Sequence, residues 1–531
     1  MPKKYNVEVT PTLPRYTPIG KFEIERGEEC INCGRCAIVC VYDVHKRQEE
    51  DPRFMAEPVD YRCKGCFCCI QECPRAALCI GANMDYSLLG DSYWTPEIIS
   101  KNWYQAETGK IPVSGAGYRG PFSGGGFDSM WTDMSEIVRP TRDGIHGREY
   151  ISTAVDIGRK LPAIKFDSQG EIASPIPPAL SLPMPIIFDT LPFGNAKHFD
   201  QTFLKFDGNI YEAMAKAASY LGTFMIVDAG GEWFKCEGNR EWGIGNRGHT
   251  SHIIPYISHL TLHRFEADLI KTCKMAEFEY EEDVLSVVNE VKMLSPETIV
   301  SVRVPFGDNV AEIVEELTYT GIEAIHLYAD INGQTFKKSL TKNASHQTLR
   351  KFDQNASQPG FIKEMTQDVH RHLVDLKIRD EVTLIVSGGI AMAEHVAKSI
   401  ICGADLTAID LPLLFALECR YCKNCLSQQT FKKSLIKKAP QQTLGKFDQN
   451  APQPCPVELK GVNPQWGAKR IINLIGAWRN QLLEVLGAMG LREVRRLRGE
   501  VGRAIFIEEI EKETFDKVFV KEVPYNAKSS D

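Results

Sequence analysis

The chain has 531 residues, enough for two or three hydrophobic cores, and its content of 43% hydrophobic and 25% charged residues is ordinary for a globular protein. Its formal net charge of −7 argues against nucleic acid as a main partner. The most apolar stretch, Ser399–Cys419, contains two aspartates, so we predict no membrane span, and the polar start of the chain predicts no signal peptide. Seventeen cysteines in such a chain favour metal–sulfur chemistry in a reducing cytoplasm.

Two cysteine runs near the N-terminus share the spacing C-x2-C-x2-C-x3-C, and Pro74 follows the second run. This is the spacing of bacterial ferredoxins with two 4Fe–4S clusters, in which the fourth cysteine of each run ligates the cluster of the other run. The predicted ligands of the first cluster are Cys30, Cys33, Cys36 and Cys73, and those of the second are Cys63, Cys66, Cys69 and Cys40. Residues 1–82 are therefore predicted to form a small α+β dicluster ferredoxin domain. Zinc sites and disulfides explain the spacing less well, and Cys68 and Cys79 are expected to be packed small hydrophobes.

Residues 83–180 are rich in Gly, Pro, Trp and Tyr and contain few long periodic runs, which predicts a connector wrapped on a neighbouring domain. Gly115–Gly120 matches the dinucleotide fingerprint G-x-G-x-x-G, but that motif requires a helix after it. The following Pro121 and Gly124–Gly126 cannot open a helix, so we reject a dinucleotide site here.

Residues 181–420 alternate between short apolar runs and amphipathic stretches, which predicts repeated β–α units and a parallel sheet. The predicted strands are Pro185–Phe188, Phe224–Val227, Ala267–Ile270, Ile299–Val304, Ala324–Tyr328, Leu384–Val386 and Leu406–Ile409. The predicted helices are Asn209–Tyr220, Glu281–Leu294, Asn309–Thr320, Ile362–Leu376 and Ala391–Cys402. The number of units favours a closed (β/α)8 TIM barrel, with a doubly wound open sheet as the alternative. Helical spacing in Trp466–Leu491 predicts a helix packed on the barrel, within a C-terminal helical extension over residues 461–531.

A 26-residue segment occurs twice, as Gln334–Pro359 and as Gln429–Pro454, with 20 of 26 positions identical. Both copies are basic and polar, so we interpret them as insertions into surface loops, with docking arms for an acidic partner as the alternative. Without the second copy the ferredoxin spacing appears a third time, in Cys419, Cys422, Cys425 and Cys455. This predicts a third iron–sulfur cluster in a loop over residues 419–460, with zinc and four idle thiols as the alternatives.

In such barrels the site lies at the carboxyl ends of the strands, so the residues that follow the predicted strands are the candidates. They are Asp189–Asn195, Asp228–Trp233, Lys271, Arg303, Asn332–Gly333 and Ser387–Gly389. The turn Ser387–Gly389 precedes a predicted helix, whose N-terminal amides suit a phosphate, although an ordinary tight turn is the alternative. Clusters carry single electrons and a flavin delivers them in pairs, so a flavin is the expected companion cofactor.

Seven segments, in the order LPFGN, AMAKAASYLG, DAGGEW, VSVRVP, IVSGGIA, GADLTAIDLPLLFALEC and CPVEL, resemble the FMN-binding domain of glutamate synthases. They look most like the archaeal-type large subunits, in which a two-cluster ferredoxin precedes the barrel, and the resemblance covers nearly the whole chain apart from the two repeats. It implies an FMN-type barrel, an iron–sulfur cluster after the last strand, and reduction of 2-iminoglutarate, made from 2-oxoglutarate and ammonia, to glutamate. The FMN-binding residues expected from it are Leu191, Pro192, Phe193, Gly194, Asp228, Gly230, Gly231, Ser387, Gly388 and Gly389, and the expected catalytic residues are Glu232, Lys271 and Arg303.

The chain departs from the family pattern at several positions. Asp228–Trp233 stands where the family has a sequence like NTGEGG, Arg303 where a lysine is usual, and Asp410 where a glycine is expected. The family spacing C-x5-C-x4-C holds a 3Fe–4S cluster, whereas Cys422 adds a fourth candidate ligand here and favours 4Fe–4S. No glutaminase module and no NAD(P)H site is recognised, so we expect a separate glutaminase or electron-donor subunit and an oligomer or complex. The alternatives are a non-catalytic electron-transfer subunit and a flavoenzyme that acts on an N-substituted amino acid.

Overall fold

The N-terminal unit has a hydrophobic core of its own, built around Ile24, Val44, Met55 and Leu78. The computed structural model describes residues 6–112, 126–132, 151–192, 208–229, 252–257, 264–307, 309–335, 360–422, 457, 459, 461–500, 502 and 504–506. In the N-terminal unit, strands β1 (Phe22–Arg26) and β2 (Leu78–Ala82) pair antiparallel, and helices α1 (Arg35–Val39) and α2 (Cys68–Gln71) each carry the third cysteine of one run. This is the arrangement expected of a small α+β ferredoxin domain.

In the N-terminal unit, Cys68 and Cys79 lie outside the two runs. Both are exposed, so the prediction that they pack as small hydrophobes is wrong. Leu78 of β2 faces the core, and side chains alternate along a strand, so the next residue, Cys79, faces outwards. Cys68 opens α2 at the edge of the cysteine region and is exposed there.

The segment after the N-terminal unit packs on the rest of the chain and shares its core. It contains α3 (Met84–Ser87), α4 (Pro96–Thr108), β3 (Met130–Thr132), β4 (Val155–Gly158) and β5 (Ala179–Leu182). Helix α4 begins where Thr95 Oγ1 accepts a hydrogen bond from Ile98 N, and it ends at Gly109, whose φ of +68° a glycine adopts without strain. Trp94 and Trp103 are buried in the core that contains the barrel, as expected for a connector wrapped on that domain.

The centre of the protein is a closed barrel of eight parallel strands, which confirms the predicted (β/α)8 barrel. Its strands are β6 (Ile186–Phe188), β7 (Met225–Asp228), β8 (Ile253–Ile257), β9 (Met275–Glu279), β10 (Ile299–Pro305), β11 (Ala324–Tyr328), and, after the hairpin β12 (Gln334–Thr335) and β13 (Gly360–Phe361), β14 (Thr383–Ser387) and β15 (Leu406–Ile409). The last strand, β15, pairs in parallel with the first, β6. The alternative of an open sheet is thereby excluded, because an open sheet would leave two unpaired edges.

Six of the seven predicted strands are barrel strands, but Ala267–Ile270 belongs to a helix, α6 (Arg264–Ile270). The next barrel strand begins only at Met275, so Lys271 lies at the amino-terminal rim of the barrel, and not at the carboxyl rim where the prediction put it. Strands β8 and β9 were not predicted. In β9, Glu277 and Glu279 interrupt the apolar run, although both belong to the wall of the barrel.

The remaining helices cover the barrel or extend it. They are α5 (Gly208–Leu221), α7 (Val284–Leu294), α8 (Val310–Tyr319), α9 (Ile362–Asp375), α10 (Ala393–Ile401), α11 (Leu411–Ala416) and α12 (Pro464–Ala488). Helix α12 begins with proline at its first position, and the Asn463 side chain accepts from the amides of Gln465 and Trp466. It packs against α5 and α4 with a fully buried Trp478, close to the predicted position.

Residues 6–19 run along α12 and fix the start of the N-terminal unit. Asn473 of α12 both donates to the Thr10 carbonyl and accepts from its amide, at 2.8 and 3.0 Å. Arg470 donates to the Thr12 carbonyl at 3.1 Å. Glu107 of α4 accepts a hydrogen bond from the Thr12 amide at 2.7 Å and forms an ion pair with Arg62 of the unit at 2.9 Å. The segment before the unit and the unit itself are therefore attached to the same part of the barrel domain, where α4 meets α12.

The first two residues of the first repeat pair with the two residues that follow the repeat. Gln334 pairs with Phe361 and Thr335 with Gly360 in the antiparallel pair β12–β13. The interpretation of the repeat as a loop insertion stays a prediction. The rest of the first repeat, and the second repeat, lie outside the described residues. Among the helices described here, none is both long and apolar enough to span a membrane.

Candidate functional site at the carboxyl rim of the barrel

Polar side chains of successive strands meet inside the carboxyl end of the barrel. Glu277 and Glu279 of β9 share one face, because side chains alternate along a strand. In the parallel register Arg303 stands beside Glu279 on one side and beside His326 on the other. We call the following set the rim cluster: Asp189, Tyr256, Glu277, Glu279, Ser301, Arg303, His326, Tyr328, Ser387 and Asp410.

Arg303 and Asp189 form a bidentate ion pair in the rim cluster. Nη1 of Arg303 lies 2.7 Å from Oδ1 of Asp189 and Nη2 lies 3.1 Å from Oδ2, with side chains 12% and 4% exposed. Nη1 also lies 3.4 Å from Oε1 of Glu277. Burial alone would raise the pKa of Asp189, but the charge of Arg303, followed by that of His326, outweighs it and lowers the pKa to about 2. The predicted catalytic Arg303 is therefore engaged by carboxylates of the protein itself.

His326 joins the two sides of the rim cluster. Its Nδ1 lies 3.0 Å from Oε2 of Glu277, and its Nε2 lies 2.9 Å from Oγ of Ser387. Ser301 donates to the same Glu277 oxygen at 3.1 Å. His326, Glu277 and Ser301 are all completely buried. The hydroxyl of Ser387, which we expected to contact a cofactor, is thus a member of a buried protein network.

Two tyrosines hold the carboxylate of Glu279 and flank Arg303. Tyr256 and Tyr328 donate to the two oxygens of Glu279 at 2.6 and 2.7 Å. The guanidinium carbon of Arg303 lies 4.6 Å from the centroid of the Tyr328 ring and 5.6 Å from that of Tyr256. Burial, and then the charge of Glu279, raise the pKa of both tyrosines, so both stay protonated and remain donors.

Asp410 follows β15 and is a buried carboxyl group of the rim cluster. Burial, and then the charge of the neighbouring Asp189, raise the pKa of Asp410 to about 7. Its Oδ1 accepts a hydrogen bond from Leu411 N at 2.5 Å, which caps α11. This capping bond gives a structural reason for an aspartate where the family pattern has a glycine.

The Gly388–Gly389 turn is tightly packed by the protein. Both residues have positive φ, at +99° and +68°, and a Cβ at Gly389 would lie 2.8 Å from Cα of Gly333. Tyr93 donates its hydroxyl to the Gly389 carbonyl. Close packing therefore accounts for both glycines, and the predicted phosphate contact stays a prediction.

The remaining predicted residues of the barrel are only partly described. Leu191 is buried and Pro192 is half-buried just after β6, and Asp228 ends β7, so these three lie at the carboxyl rim. Lys271 is at the opposite rim, with its side chain 51% exposed and paired with Asp268 at 3.3 Å. It does not meet Arg303. The expected contacts Phe193, Gly194, Gly230, Gly231 and Glu232 lie outside the described residues.

The cysteines of the N-terminal unit line two separate cavities. The first, with about 350 Å³ of empty space, is lined by Cys30, Cys33, Cys36 and Cys73. The second, with about 290 Å³, is lined by Cys40, Cys63, Cys66 and Cys69, with Cys68 at its edge. Each cavity thus combines three cysteines of one run with the fourth of the other, which is the grouping predicted from the spacing. Burial, and then the charges of Cys63, Cys40 and Cys66, raise the pKa of Cys69 to about 11, so these thiols lie near each other.

Each cavity also contains buried nitrogen atoms without a hydrogen-bond partner. Both ring nitrogens of His45, in the second cavity, and Nε and Nη2 of Arg26, in the first, have none among the described residues. An unsatisfied buried donor costs about 1–3 kcal/mol. Sulfur-rich anionic groups in the cavities would satisfy these donors, so the residues fit iron–sulfur clusters. No group of three or more His, Cys, Asp or Glu in the described residues fits a single metal ion, and cluster ligands, which bind different irons, lie farther apart.

The two described cysteines of the third run lie after α11. Cys419 is buried and Cys422 is exposed, and Trp103 of α4 donates to the Cys419 carbonyl at 3.2 Å. Arg15 forms an ion pair with Glu418 at 3.2 Å and donates to the Val457 carbonyl at 3.2 Å. Arg15 thus links Glu418, the residue before Cys419, to Val457, which lies two positions after Cys455. Cys425 and Cys455 themselves lie outside the described residues.

Sequence reasoning named Asp189, Arg303, Ser387 and Asp410 but missed the other six residues of the rim cluster. The missed residues are Tyr256, Glu277, Glu279, Ser301, His326 and Tyr328. A signal was present in two of the segments, since Glu277 and Glu279 alternate in MAEFE and His326 interrupts the apolar run AIHLY. Polar residues with strand periodicity inside an apolar run indicate the interior of a barrel near its mouth.

Part of the chain matches the model of a known protein family. Residues 241–431 match the model of a conserved region in glutamate synthase. An archaeal-type glutamate synthase (NADPH) of Dehalococcoides mccartyi is 25% identical over 520 residues, which are 90% of this chain and 94% of that protein. The archaeal-type enzyme of Thermotoga maritima is 25% identical over 92% of this chain and 96% of its own length, and that of Archaeoglobus fulgidus is 24% identical over 90% and 93%.

The matches among solved structures include a flavocytochrome b2 variant with sulfite bound. It has a TM-score of 0.36 and 11% identity, and the match covers 76% of this chain and 84% of that one. A mandelate oxidase variant with an FMN adduct has a TM-score of 0.34 and 12% identity, over 65% of this chain and 87% of its own. By sequence, residues 241–431 match a conserved region in glutamate synthase, and the chain as a whole is similar to archaeal-type glutamate synthases over about nine tenths of its length.

Proposed function

We propose that the protein is an iron–sulfur flavoprotein oxidoreductase of the glutamate synthase type. It passes electrons from ferredoxin-type clusters to FMN at the barrel mouth and reduces 2-iminoglutarate, made from 2-oxoglutarate and ammonia, to glutamate. The observation that carries this proposal is the pair of cysteine cavities, each lined by three cysteines of one run and one of the other, in a chain similar to archaeal-type glutamate synthases.

The cysteines have the role of holding clusters, which when bound supply single-electron transfer. Lys64, next to Cys63, lies over the Tyr104 ring of α4 at 5.5 Å, and the adjacent Trp103 donates to the Cys419 carbonyl. These contacts support an order in which the cavity of Cys40, Cys63, Cys66 and Cys69 is the nearer of the two to the third cysteine run. A third cluster, 4Fe–4S or 3Fe–4S, at Cys419, Cys422, Cys425 and Cys455 completes the proposal.

FMN, when bound, would collect single electrons and deliver them as a pair. The described part of the barrel mouth offers two tyrosine rings and a neutralised Arg303, while most expected phosphate contacts lie outside the described residues. The described residues link the strands of the mouth to each other through the hydrogen bonds of Asp189, Glu277 and Glu279. Asp410, with its pKa raised to about 7 by burial and by Asp189, can hold or release a proton there.

A second candidate function is favoured by one observation, the engagement of Arg303 by Asp189 and Glu277. Two protein carboxylates already neutralise this guanidinium, which weakens its attraction for the carboxylates of a dicarboxylic acid, and Lys271 lies at the opposite rim. The second candidate is therefore an electron-transfer subunit of a larger complex, or a flavoenzyme for an N-substituted amino acid. In either case a separate glutaminase or electron-donor subunit is the expected partner.

The first test is anaerobic purification of the full chain, with iron, sulfide and acid-released flavin measured in the same sample. About twelve irons and one FMN per chain are expected for three 4Fe–4S clusters and a flavin. About eight irons without flavin would contradict the third cluster and the flavoenzyme. Turnover of 2-oxoglutarate and ammonia with a reduced viologen then separates the two candidates: glutamate formation supports the first, and its absence in a fully loaded chain supports the second.

A further inference from the structure

Each cysteine cavity is lined by one side chain with buried nitrogen atoms that have no partner among the described residues, Arg26 in the first cavity and His45 in the second. His45 is 3% exposed and lines the cavity of Cys40, Cys63, Cys66 and Cys69. Arg26, in β1, lines the cavity of Cys30, Cys33, Cys36 and Cys73. The backbone does not require these positions to be polar, since β1 and the loop before β2 could bury apolar side chains there.

Protein acceptors do not account for these donors. Arg26 uses only Nη1, which donates to the Ala56 carbonyl at 2.9 Å, and its Nε and Nη2 have no partner in the described part of the chain. Both ring nitrogens of His45 are likewise without one. Lys64, the other cationic side chain of the second cavity, lies over the Tyr104 ring and so has its own neighbour.

A buried N–H on a side chain that lines a cysteine cavity has cluster sulfur as its natural acceptor. Resting on the cluster assignment proposed above, we propose that His45 and Arg26 are side-chain hydrogen-bond donors to the two clusters, one each, and raise the reduction potential of the cluster that each contacts. The physical reason is that a reduced cluster carries one more negative charge on its sulfurs, so a donor stabilises the reduced state more than the oxidised state.

The test is an EPR-monitored redox titration of the full chain, loaded and purified without oxygen, with iron counted in every sample. His45→Leu is expected to lower the midpoint potential of one cluster only, and Arg26→Leu that of the other. His45→Gln and Arg26→Lys, which keep a donor, are expected to stay closer to the unaltered protein. Arg53→Leu removes the same charge as Arg26→Leu from an exposed side chain of this unit and serves as the control, with neither potential changed.

The outcomes separate this inference from the proposed function. Unchanged potentials in loaded His45→Leu and Arg26→Leu, or equal shifts in Arg53→Leu and Arg26→Leu, would overturn the inference and leave the cluster assignment standing. An unaltered chain whose N-terminal unit takes up no iron would overturn both. Where a variant fails to assemble, pulsed EPR of the unaltered chain with ¹⁵N-labelled histidine decides: a nitrogen coupling at one reduced cluster supports the inference, and no coupling at either overturns it for His45.

Discussion

Arg303 and Asp189, 114 residues apart in sequence, share two parallel hydrogen bonds of 2.7 and 3.1 Å inside the barrel mouth. Asp189 follows the first barrel strand and Arg303 lies in the fifth, so the pair spans the mouth. Glu277 adds a second carboxylate, and the rings of Tyr256 and Tyr328 cover the guanidinium. The pair therefore links two non-adjacent strands of the barrel, and we expect it to contribute to the stability of the fold.

Replacing Arg303 by methionine should leave Asp189 and Glu277 buried without their cation. Removing one partner of a buried pair costs about 3–5 kcal/mol, so we expect a loss of that size in the free energy of unfolding, measured with urea. Lys271→Met is the control, because its exposed pair with Asp268 is worth at most about 1 kcal/mol. Equal losses in the two variants would show that Arg303 is not part of a buried pair.

Asp410→Asn should change how stability depends on pH. With a native pKa of about 7 and an ordinary unfolded pKa, the native state binds more protons than the unfolded state between about pH 4 and 7. The free energy of unfolding of the unaltered protein therefore falls as pH rises through this window. Asp410→Asn has no carboxyl group to ionise at this position, so it avoids this loss. Its free energy of unfolding should exceed that of the unaltered protein by at most about 4 kcal/mol, from about 1.4 kcal/mol per pKa unit.

The control for Asp410 is Asp405, whose pKa shifts the other way. Burial alone would raise the pKa of Asp405, but Arg379 and Arg498 outweigh it and lower it. Asp405→Asn should therefore lower the free energy of unfolding at neutral pH. This loss should become smaller as pH falls below the ordinary pKa of an aspartate. Parallel pH profiles for the two variants would contradict both assignments.

Gly389→Ala should be more costly than Gly321→Ala, although both glycines have positive φ. At Gly321, with φ of +93°, a new Cβ meets nothing within 4 Å, so only the backbone cost of about 1 kcal/mol is expected. At Gly389 the Cβ would lie 2.8 Å from Gly333 and 2.9 Å from the Tyr93 hydroxyl, which adds about 1–3 kcal/mol of overpacking. Thermal unfolding of the two variants measures the difference, and equal midpoints would refute the close packing.

Paired cysteine substitutions should reveal that the two runs exchange their fourth ligands. Cys30→Ala with Cys73→Ala removes ligands of one cavity and should cost one cluster, about four irons. Cys30→Ala with Cys40→Ala removes one ligand from each cavity and should cost both clusters, about eight irons. Cys79→Ala, at an exposed cysteine outside both cavities, is the control. The reverse pattern of iron loss would mean that each run holds its own cluster.

Cys419→Ala should remove about four irons if the third run holds a 4Fe–4S cluster. Cys402→Ala is the matched control, because Cys402 is also buried and belongs to no cysteine run. Arg15→Leu should lower the occupancy of the third cluster without changing the other two, because Arg15 joins Glu418 to Val457. Iron loss in Cys402→Ala as large as in Cys419→Ala would point to general unfolding instead.

Local patterns in the sequence predicted those parts of the protein that depend on local spacing. The cysteine spacing predicted the grouping of Cys40 with Cys63 and of Cys73 with Cys30, since the motif itself encodes the exchange of ligands. The alternation of apolar runs and amphipathic stretches predicted the barrel. It failed at Ala267–Ile270, where a short apolar run belongs to a helix, because periodicity cannot separate a short strand from a short buried helix. Lys271 was misplaced as a direct result.

The rim cluster depends on which strands become neighbours, and that is not visible locally. Arg303 was expected to be catalytic, but Asp189 and Glu277 reach it only after the barrel has closed. Glu277 and Glu279 lie in a strand that was not predicted, and each is bonded to side chains from other strands. No sequence pattern indicates Arg26 and His45 as donors, because only the structure shows that their nitrogen atoms have no partner among the described residues.

The attachment of residues 6–19 to helix α12 also fixes the place of the N-terminal unit. Thr10 and Thr12 are bonded to Asn473 and Arg470, and Glu107 of α4 both accepts from the Thr12 amide and pairs with Arg62 of the unit. A unit held in this way does not swing as a tethered shuttle does. If the proposed function is right, raising the viscosity should therefore leave the internal electron-transfer rate unchanged.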